Sequence, residues 1–300
     1  MLDPDYAPDG FAVDLGGTKI AAARIVQGQI VARASCATDA HAPPEAQVAV
    51  MAELARQVGY QTGAALGVAV AGRIDDRGHW HAVNTGTLSA IVEVPLTDLI
   101  TRALGPANCM NDAAAAALAE ARLGAGRGLR NFGYLTVSTG VGGGFVLGGR
   151  LLESRSGLAG HVGFTTAPGA DEPCGSGRRG TVESLAGGRA LAEAARRAGQ
   201  VADARTICDA ATQGEAWALH IVTVSARAIA TLIADLTATL GLDAVAIGGS
   251  IGLADGYIDL VRDALDEAPA VFRVPITPAA LGTDAPLFGA LLRTTDRQGA

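Results

Sequence analysis

The chain writes one local plan twice, and that repeat limits the folds open to it. "GFAVDLGGTKIAAARIVQGQIVARAS", residues 10–35, reads as an apolar strand, a glycine turn, a second strand, a short turn at Gln27-Gly28 and a third strand. "FGYLTVSTGVGGGFVLGGRLL", residues 132–152, again reads as strand, glycine turn, strand, tight turn and strand start. Helical and strand patterns alternate around these meanders. Val48, Met51, Leu54 and Val58 have helical spacing, "AALGVAVAG" is a short buried strand, and "NDAAAAALAEARLG" is a run of helix formers closed by Gly124. A long helical pattern precedes the strand "AVAIGG", and "APLFGALLRTTD" closes the chain as a helix opening at Pro286. The expectation is two related α/β lobes facing one cleft. The smaller takes residues 1–110 with the closing helix 286–300 packed back on it, and the larger takes residues 111–285.

Composition removes several function classes. The 300 residues are 49% hydrophobic, enough for a sizeable core. No apolar run reaches the roughly 20 uncharged residues of a membrane-spanning helix, and the acidic start "MLDPDYAPDG" does not read as a signal peptide, so no membrane partner and a cytoplasmic location are expected. The net charge of −7 is spread without a basic block, which argues against nucleic acid as a partner. Cys36, Cys109, Cys174 and Cys208 form no CxxC pair and read as free thiols of a reduced compartment.

The glycine turns are candidate anion sites. In "VDLGGTK", Asp14 ends a strand, Gly16 and Gly17 let backbone N–H groups approach a phosphate, and Thr18 and Lys19 add donors. This is neither a P-loop nor a dinucleotide fingerprint, and an ordinary glycine hairpin reads the same way. "STGVGGG" repeats the arrangement with Thr139 and Gly140, and Gly142, Gly143 and Gly144 leave room for a bulky ligand. With Gly248 and Gly249 after a buried strand, three such loops fit a bound nucleotide. Asp112, opening the alanine-rich helix, reads either as a cap or as a general base whose carboxylate the helix dipole favours; Asn111 could orient a sugar hydroxyl beside it. His161 and Glu183 could bond a polyol, although lone residues of these types are more often surface groups.

Taken together, "DLGGTK", "ND" before the alanine-rich helix, "STGVGGG", "AGHVGF", "CGSGRRGTVES" and "AIGGSIG" resemble the ROK family of bacterial sugar kinases and repressors over nearly the whole chain. Within it, "GLAGHVG" and "GGSIGLADGYIDLV" are most similar to the N-acetylmannosamine kinases. The resemblance implies an actin-like ATPase (ribonuclease H-like) fold, a homodimer, and phosphate transfer from ATP with Mg2+ to a small sugar, on O6 of an N-acetylhexosamine. It makes Asp112 the catalytic base, and Asn84, Asn111, His161 and Glu183 sugar ligands. Asp14, Gly16, Gly17, Thr18, Lys19, Thr139, Gly140, Gly142, Gly143, Gly144, Gly248 and Gly249 become nucleotide contacts. His161 matches a position that is glutamate in family glucokinases; an imidazole can donate to a 2-acetamido group, whereas a carboxylate only accepts. A ROK-family glucokinase, another N-acetylhexosamine kinase and a non-catalytic sugar sensor are the alternatives; a repressor, which in this family carries an N-terminal helix-turn-helix, is not expected, because the first strand begins near Phe11.

The same resemblance implies a loss. Family members hold a structural zinc with a second histidine and three cysteines, and these positions are Phe164, Cys174, Ser176 and Thr181 here. One thiolate cannot complete a four-ligand site, so no structural zinc is expected, with Phe164 packing where the metal tied the loop down.

Overall fold

A computed structural model describes residues 7–84 and 86–298, with side chains to Thr294. Residues 299 and 300, the expected end of the closing helix, lie outside the described residues, as do residues 1–6 of the acidic start. The chain divides into two units of nearly equal length. The first takes the described residues of Met1–Arg122, Leu151–Ala159 and Thr283–Ala300, and the second takes Leu123–Arg150 and Gly160–Gly282.

In the first unit, β1 (Gly10–Leu15), β2 (Lys19–Val26) and β3 (Gln29–Ala37) form the antiparallel meander. After α1 (Pro44–Gln57), β4 (Leu66–Val70) pairs parallel with β1. Three short strands, β5 (Arg73–Ile74), β6 (His79–His81) and β7 (Val94–Pro95), form a small sheet of their own that the sequence pattern did not disclose. Helix α2 (Leu96–Leu104), strand β8 (Asn108–Asn111) and helix α3 (Asp112–Leu123) follow. The main sheet runs β3-β2-β1-β4-β8.

Packing explains the layers. Val48, Met51, Leu54 and Val58 of α1 and Leu96, Ile100 and Leu104 of α2 join Val13, Leu15, Ile20 and Val68 in one core. Buried Trp80 is part of it, and its Nε1–H donates to Ala71 O at 2.8 Å, tying the small sheet to the end of β4. Removing such a ring costs about 3–5 kcal/mol. Small residues hold another cluster, of Ala69, Met110, Ala115 and Ala290.

In the second unit, β9 (Phe132–Val137) and β10 (Val141–Leu147) pair antiparallel, and β11 (Arg150–Leu151) completes the second meander. Helices α4 (Glu183–Ala186), α5 (Gly188–Arg197), α6 (Ala204–Thr212) and α7 (Ala216–Leu240) precede β12 (Ala244–Gly248), α8 (Tyr257–Asp266) and β13 (Ile276–Pro278). The sheet order β11-β10-β9-β12-β13 repeats that of the first unit strand for strand.

Helix α7 is long and apolar enough to cross a membrane by length and composition alone, yet Arg227 and Asp235 interrupt its apolar run and 56% of its most apolar stretch is buried within the protein. Ile221, Val222, Ile229 and Ile233 fill the core, and Ser225 Oγ lies 2.7 Å from the buried Tyr257 hydroxyl of α8.

The last helix, α9 (Ala285–Gln298), packs in the first unit against β1, β4 and β8. Gly289 allows the contact with α3: a Cβ there would overlap the carbonyl of Ala115. Helix α3 therefore belongs with the first unit, and the units part after Arg122 rather than at residues 110/111.

Candidate functional site

The first glycine turn lies where β1 ends and β2 begins. Gly16 N donates to Lys19 O at 2.9 Å, and Thr38 locks the turn from beyond β3, with its N–H on Thr18 O at 3.0 Å and its hydroxyl on Gly16 O at 2.8 Å. Thr18 and Lys19 are exposed, as ligand donors must be. The loop of Asn84 sits against this turn. Asn84 Oδ1 accepts from Gly86 N at 3.0 Å, and a Cβ on Gly17 would lie 2.8 Å from Thr87 Cγ2.

Asp14 and Asp112 meet electrostatically across the sheet. Asp14 Oδ1 is enclosed and has no hydrogen-bond partner among the described residues. Burial, and then the negative charge of Asp112, hold the Asp14 carboxyl well above the usual range; Lys19 and Arg33 offset this in part, while Asp284 adds to it. Burial likewise pushes Asp112 up to about 6, against hydrogen bonds from backbone N–H groups and the Asn111 amide.

Asn111, at the end of β8, is the residue that caps α3: its Oδ1 accepts from Ala114 N at 2.9 Å. Its Nδ2 donates to Gly72 O at 2.8 Å and to Asp112 Oδ1 at 2.9 Å, which occupies both amide hydrogens. Asp112 Oδ1 also accepts from Ala113 N at 2.8 Å. Both bonds fall on Oδ1, which leaves Oδ2 to take a proton.

In the second unit, the Ser138–Gly140 turn and the Gly248-Gly249 loop lie at the C-terminal ends of the parallel neighbours β9 and β12. Ile251 N and Gly252 N both donate to Val137 O, folding the second loop over the end of β9. Gly140 lies close under Glu183: a Cβ there would overlap Glu183 Oε2, so a larger residue would have to push the carboxylate aside. Gly142, Gly143 and Gly144 fall inside β10, paired with Thr136, Leu135 and Tyr134. At Gly143 the room expected for a ligand is taken by this chain: a Cβ on Gly160 would overlap the Gly143 carbonyl, and Val162 packs on Gly143.

Glu183 is buried, and its carboxylate accepts from Val141 N at 3.2 Å and Gly175 N at 3.1 Å. It braces the β9–β10 hairpin against the 173–181 loop. His161 precedes a 3-10 turn, Val162–Phe164, and its ring stacks on Phe164 with centroids 6.0 Å apart and planes 23° from parallel.

The four positions of the family zinc do not fit that metal. Phe164 is stacked on His161, and Cys174 Sγ is 3.0 Å from Ser176 Oγ. Thr181 is buried and its Oγ1 accepts from Ser184 N at 3.3 Å, in the turn that leads into α4. Among the described residues no three His, Cys, Asp or Glu side chains are placed to hold a metal ion.

Sequence reasoning passed over a cavity of about 560 Å3 beside the Gly248-Gly249 loop, lined by Arg205, Asp209, Thr212, Gln213, Ser250 and Leu253 among others. Its sequence trace is the four-residue spacing of Arg205 and Asp209 on one face of α6.

The chain matches the ROK family over residues 10–296. An N-acetylmannosamine kinase of Escherichia coli (strain 55989 / EAEC) is 42% identical over 283 residues, 94% of this chain and 96% of that protein. The bifunctional enzyme NanE/NanK of Brucella melitensis is 40% identical over 281 residues; this chain spans 52% of its length. Among solved structures, a ROK family glucokinase from Streptomyces griseus in complex with glucose and AMPPNP has a TM-score of 0.83 at 29% identity, covering 95% of this chain and 99% of that one. With its two mixed five-stranded sheets of matching order in an actin-like ATPase fold, the chain belongs to the ROK family.

Proposed function

We propose that the protein is an ATP-dependent N-acetylmannosamine kinase that makes N-acetylmannosamine 6-phosphate for sialic acid breakdown, working in the cytoplasm as a homodimer. The observation that carries the reading is the Asp112 carboxylate, held through Oδ1 by Asn111 and Ala113 with Oδ2 left over. Its ordinary value pushed up to about 6 keeps it ionised at neutral pH yet a better base than a surface aspartate. Identity to the Escherichia coli kinase over nearly the whole chain supports the sugar.

In this reading Asp112 Oδ2 takes the proton from the sugar's 6-hydroxyl as that oxygen bonds the γ-phosphorus, and the bond to the bridging oxygen breaks to release ADP. Asn84, Asn111, His161 and Glu183 hold the sugar. Asn111 already spends both amide hydrogens, so it accepts from the sugar through Oδ1 while it orients Asp112. Glu183 meets the sugar with the lone pairs its two backbone donors leave.

The Gly16–Lys19 turn, Thr139, Gly140 and the Gly248-Gly249 loop cradle the phosphates, and the cavity beside Ser250 takes the nucleoside. Gly143 lets the His161 segment lie close, and Gly142 and Gly144 join the nucleotide contacts. A magnesium ion fits Asp14, whose enclosed Oδ1 has no hydrogen-bond partner among the described residues and whose carboxyl, held above the usual range by burial, would be favoured in its ionised form by a cation. When bound, it neutralises charge building on the phosphate oxygens.

A glucose kinase is the second reading, favoured by the glucose-bound Streptomyces griseus relative. His161 weighs against it, since an imidazole can donate to an acetamido oxygen. ADP release with Mg2+ and ATP, compared over N-acetylmannosamine, N-acetylglucosamine, glucose and mannose, decides between them. Preference for glucose removes the amino-sugar assignment, and silence on every sugar removes the kinase.

A further inference from the structure

We propose that Arg178 is the cross-link that holds the His161 segment to the 173–181 loop, so that a guanidinium does the bracing at a place where three of the four family metal-ligand types are missing. Arg178 Nη1 donates to Phe164 O at 2.5 Å and Nη2 donates to Thr166 Oγ1 at 3.1 Å. One planar fork thus grips two successive acceptors on the neighbouring segment, a geometry suited to arginine and beyond the single ammonium of lysine.

The base of the fork is fixed as well. Arg178 O accepts from Cys174 N at 2.8 Å, its own N–H donates to Ser176 Oγ at 3.3 Å, and Gly177 N closes the turn on Cys174 O at 2.9 Å. The 174–178 turn is therefore a closed unit, and its side-chain link outward is the guanidinium.

Two polar groups of the proposed sugar site hang on this link. Phe164, gripped at its carbonyl, carries the ring that stacks on His161. Gly175, inside the turn, gives its N–H to Glu183 Oε1. Letting go of Arg178 frees the ring behind the imidazole and loosens an amide that orients the carboxylate. Arg178 touches neither substrate nor reacting atoms; it is a positioning residue, and its effect on catalysis rests on the kinase reading above.

The test compares the full-length wild type with Arg178→Ala, Arg178→Lys and the neighbouring control Arg179→Ala. Amide hydrogen exchange over residues 161–181 is measured without ligands, and steady-state kinetics with N-acetylmannosamine. Charged hydrogen bonds of this kind set the scale. Arg178→Ala is expected to speed exchange in 161–166 and 174–177 by about tenfold and to raise KM for the sugar by about three- to tenfold, with kcat and KM for ATP within about twofold. Arg178→Lys should fall between, because one ammonium recovers part of the grip, and Arg179→Ala should match wild type in both readouts.

Exchange in Arg178→Ala equal to wild type, or equally fast in Arg179→Ala, overturns the cross-link. Faster exchange with an unchanged sugar KM overturns its positioning role. A wild type inactive on every sugar would defeat the kinase reading alone, since the exchange measurement needs no substrate and still decides the link.

Discussion

Asn111 Nδ2 lies 2.9 Å from Asp112 Oδ1 while its Oδ1 caps the helix that Asp112 opens, so one amide fixes both the helix start and the face that the carboxylate presents. Asp112→Asn keeps this framework and removes the base. Turnover should fall by about 10²- to 10⁴-fold with the sugar KM little changed, checked by steady-state kinetics and circular dichroism.

On the proposed kinase reading, the same carboxyl sets the acid limb of the reaction. With Asp112 pushed up to about 6 by burial, kcat/KM for the sugar should drop tenfold per pH unit below about 6 and level off above it. A profile with its acid limb near 4 would place the base elsewhere.

Asp112 also costs stability. Its folded-state value lies above the unfolded one of about 4, so the folded protein binds the proton more tightly. That stabilisation is complete below about pH 4 and lost as pH rises through about 6. Asp112→Asn, neutral throughout, should therefore unfold like wild type near pH 4 and be about 2–3 kcal/mol more stable at pH 7–8, measured by urea unfolding without ligands.

Gly140 and Glu183 test the second unit. Gly140→Ala drives a methyl into Glu183 Oε2 and should cost about 1–3 kcal/mol of stability and raise KM for both ATP and sugar. Both effects are readable from one thermal melt and one kinetic series.

Metal content tests the 173–181 loop. Purified protein should carry well under one zinc per chain, and a zinc chelator should leave its melting temperature unchanged, because Phe164 is committed to stacking and Ser176 and Thr181 to hydrogen bonds within the loop. About one tightly bound zinc per chain would refute this.

The strand meanders were legible because period-two patterning broken by glycine turns is a local signal, and β1–β3 and β9–β11 fall where it placed them. Asp112 could be read as a helix-start carboxylate for the same reason. What could not be read was long-range. The role of Gly143 depends on Val162, the cap on α3 depends on which of two adjacent polar residues turns inward, and the grip of Arg178 spans from 178 back to 164. The strands β5, β6 and β7 are two or three residues long, too short to show a period.

Helix α9 seats itself on α3 through Gly289 and Ala115, so the helix that begins at Asp112 leans on residues synthesised well after it. During synthesis the first unit has its strands long before it has its final layer. A nascent chain still missing α9 has its acidic residues in place by sequence and not by packing, and the first unit is complete only once α9 has been made.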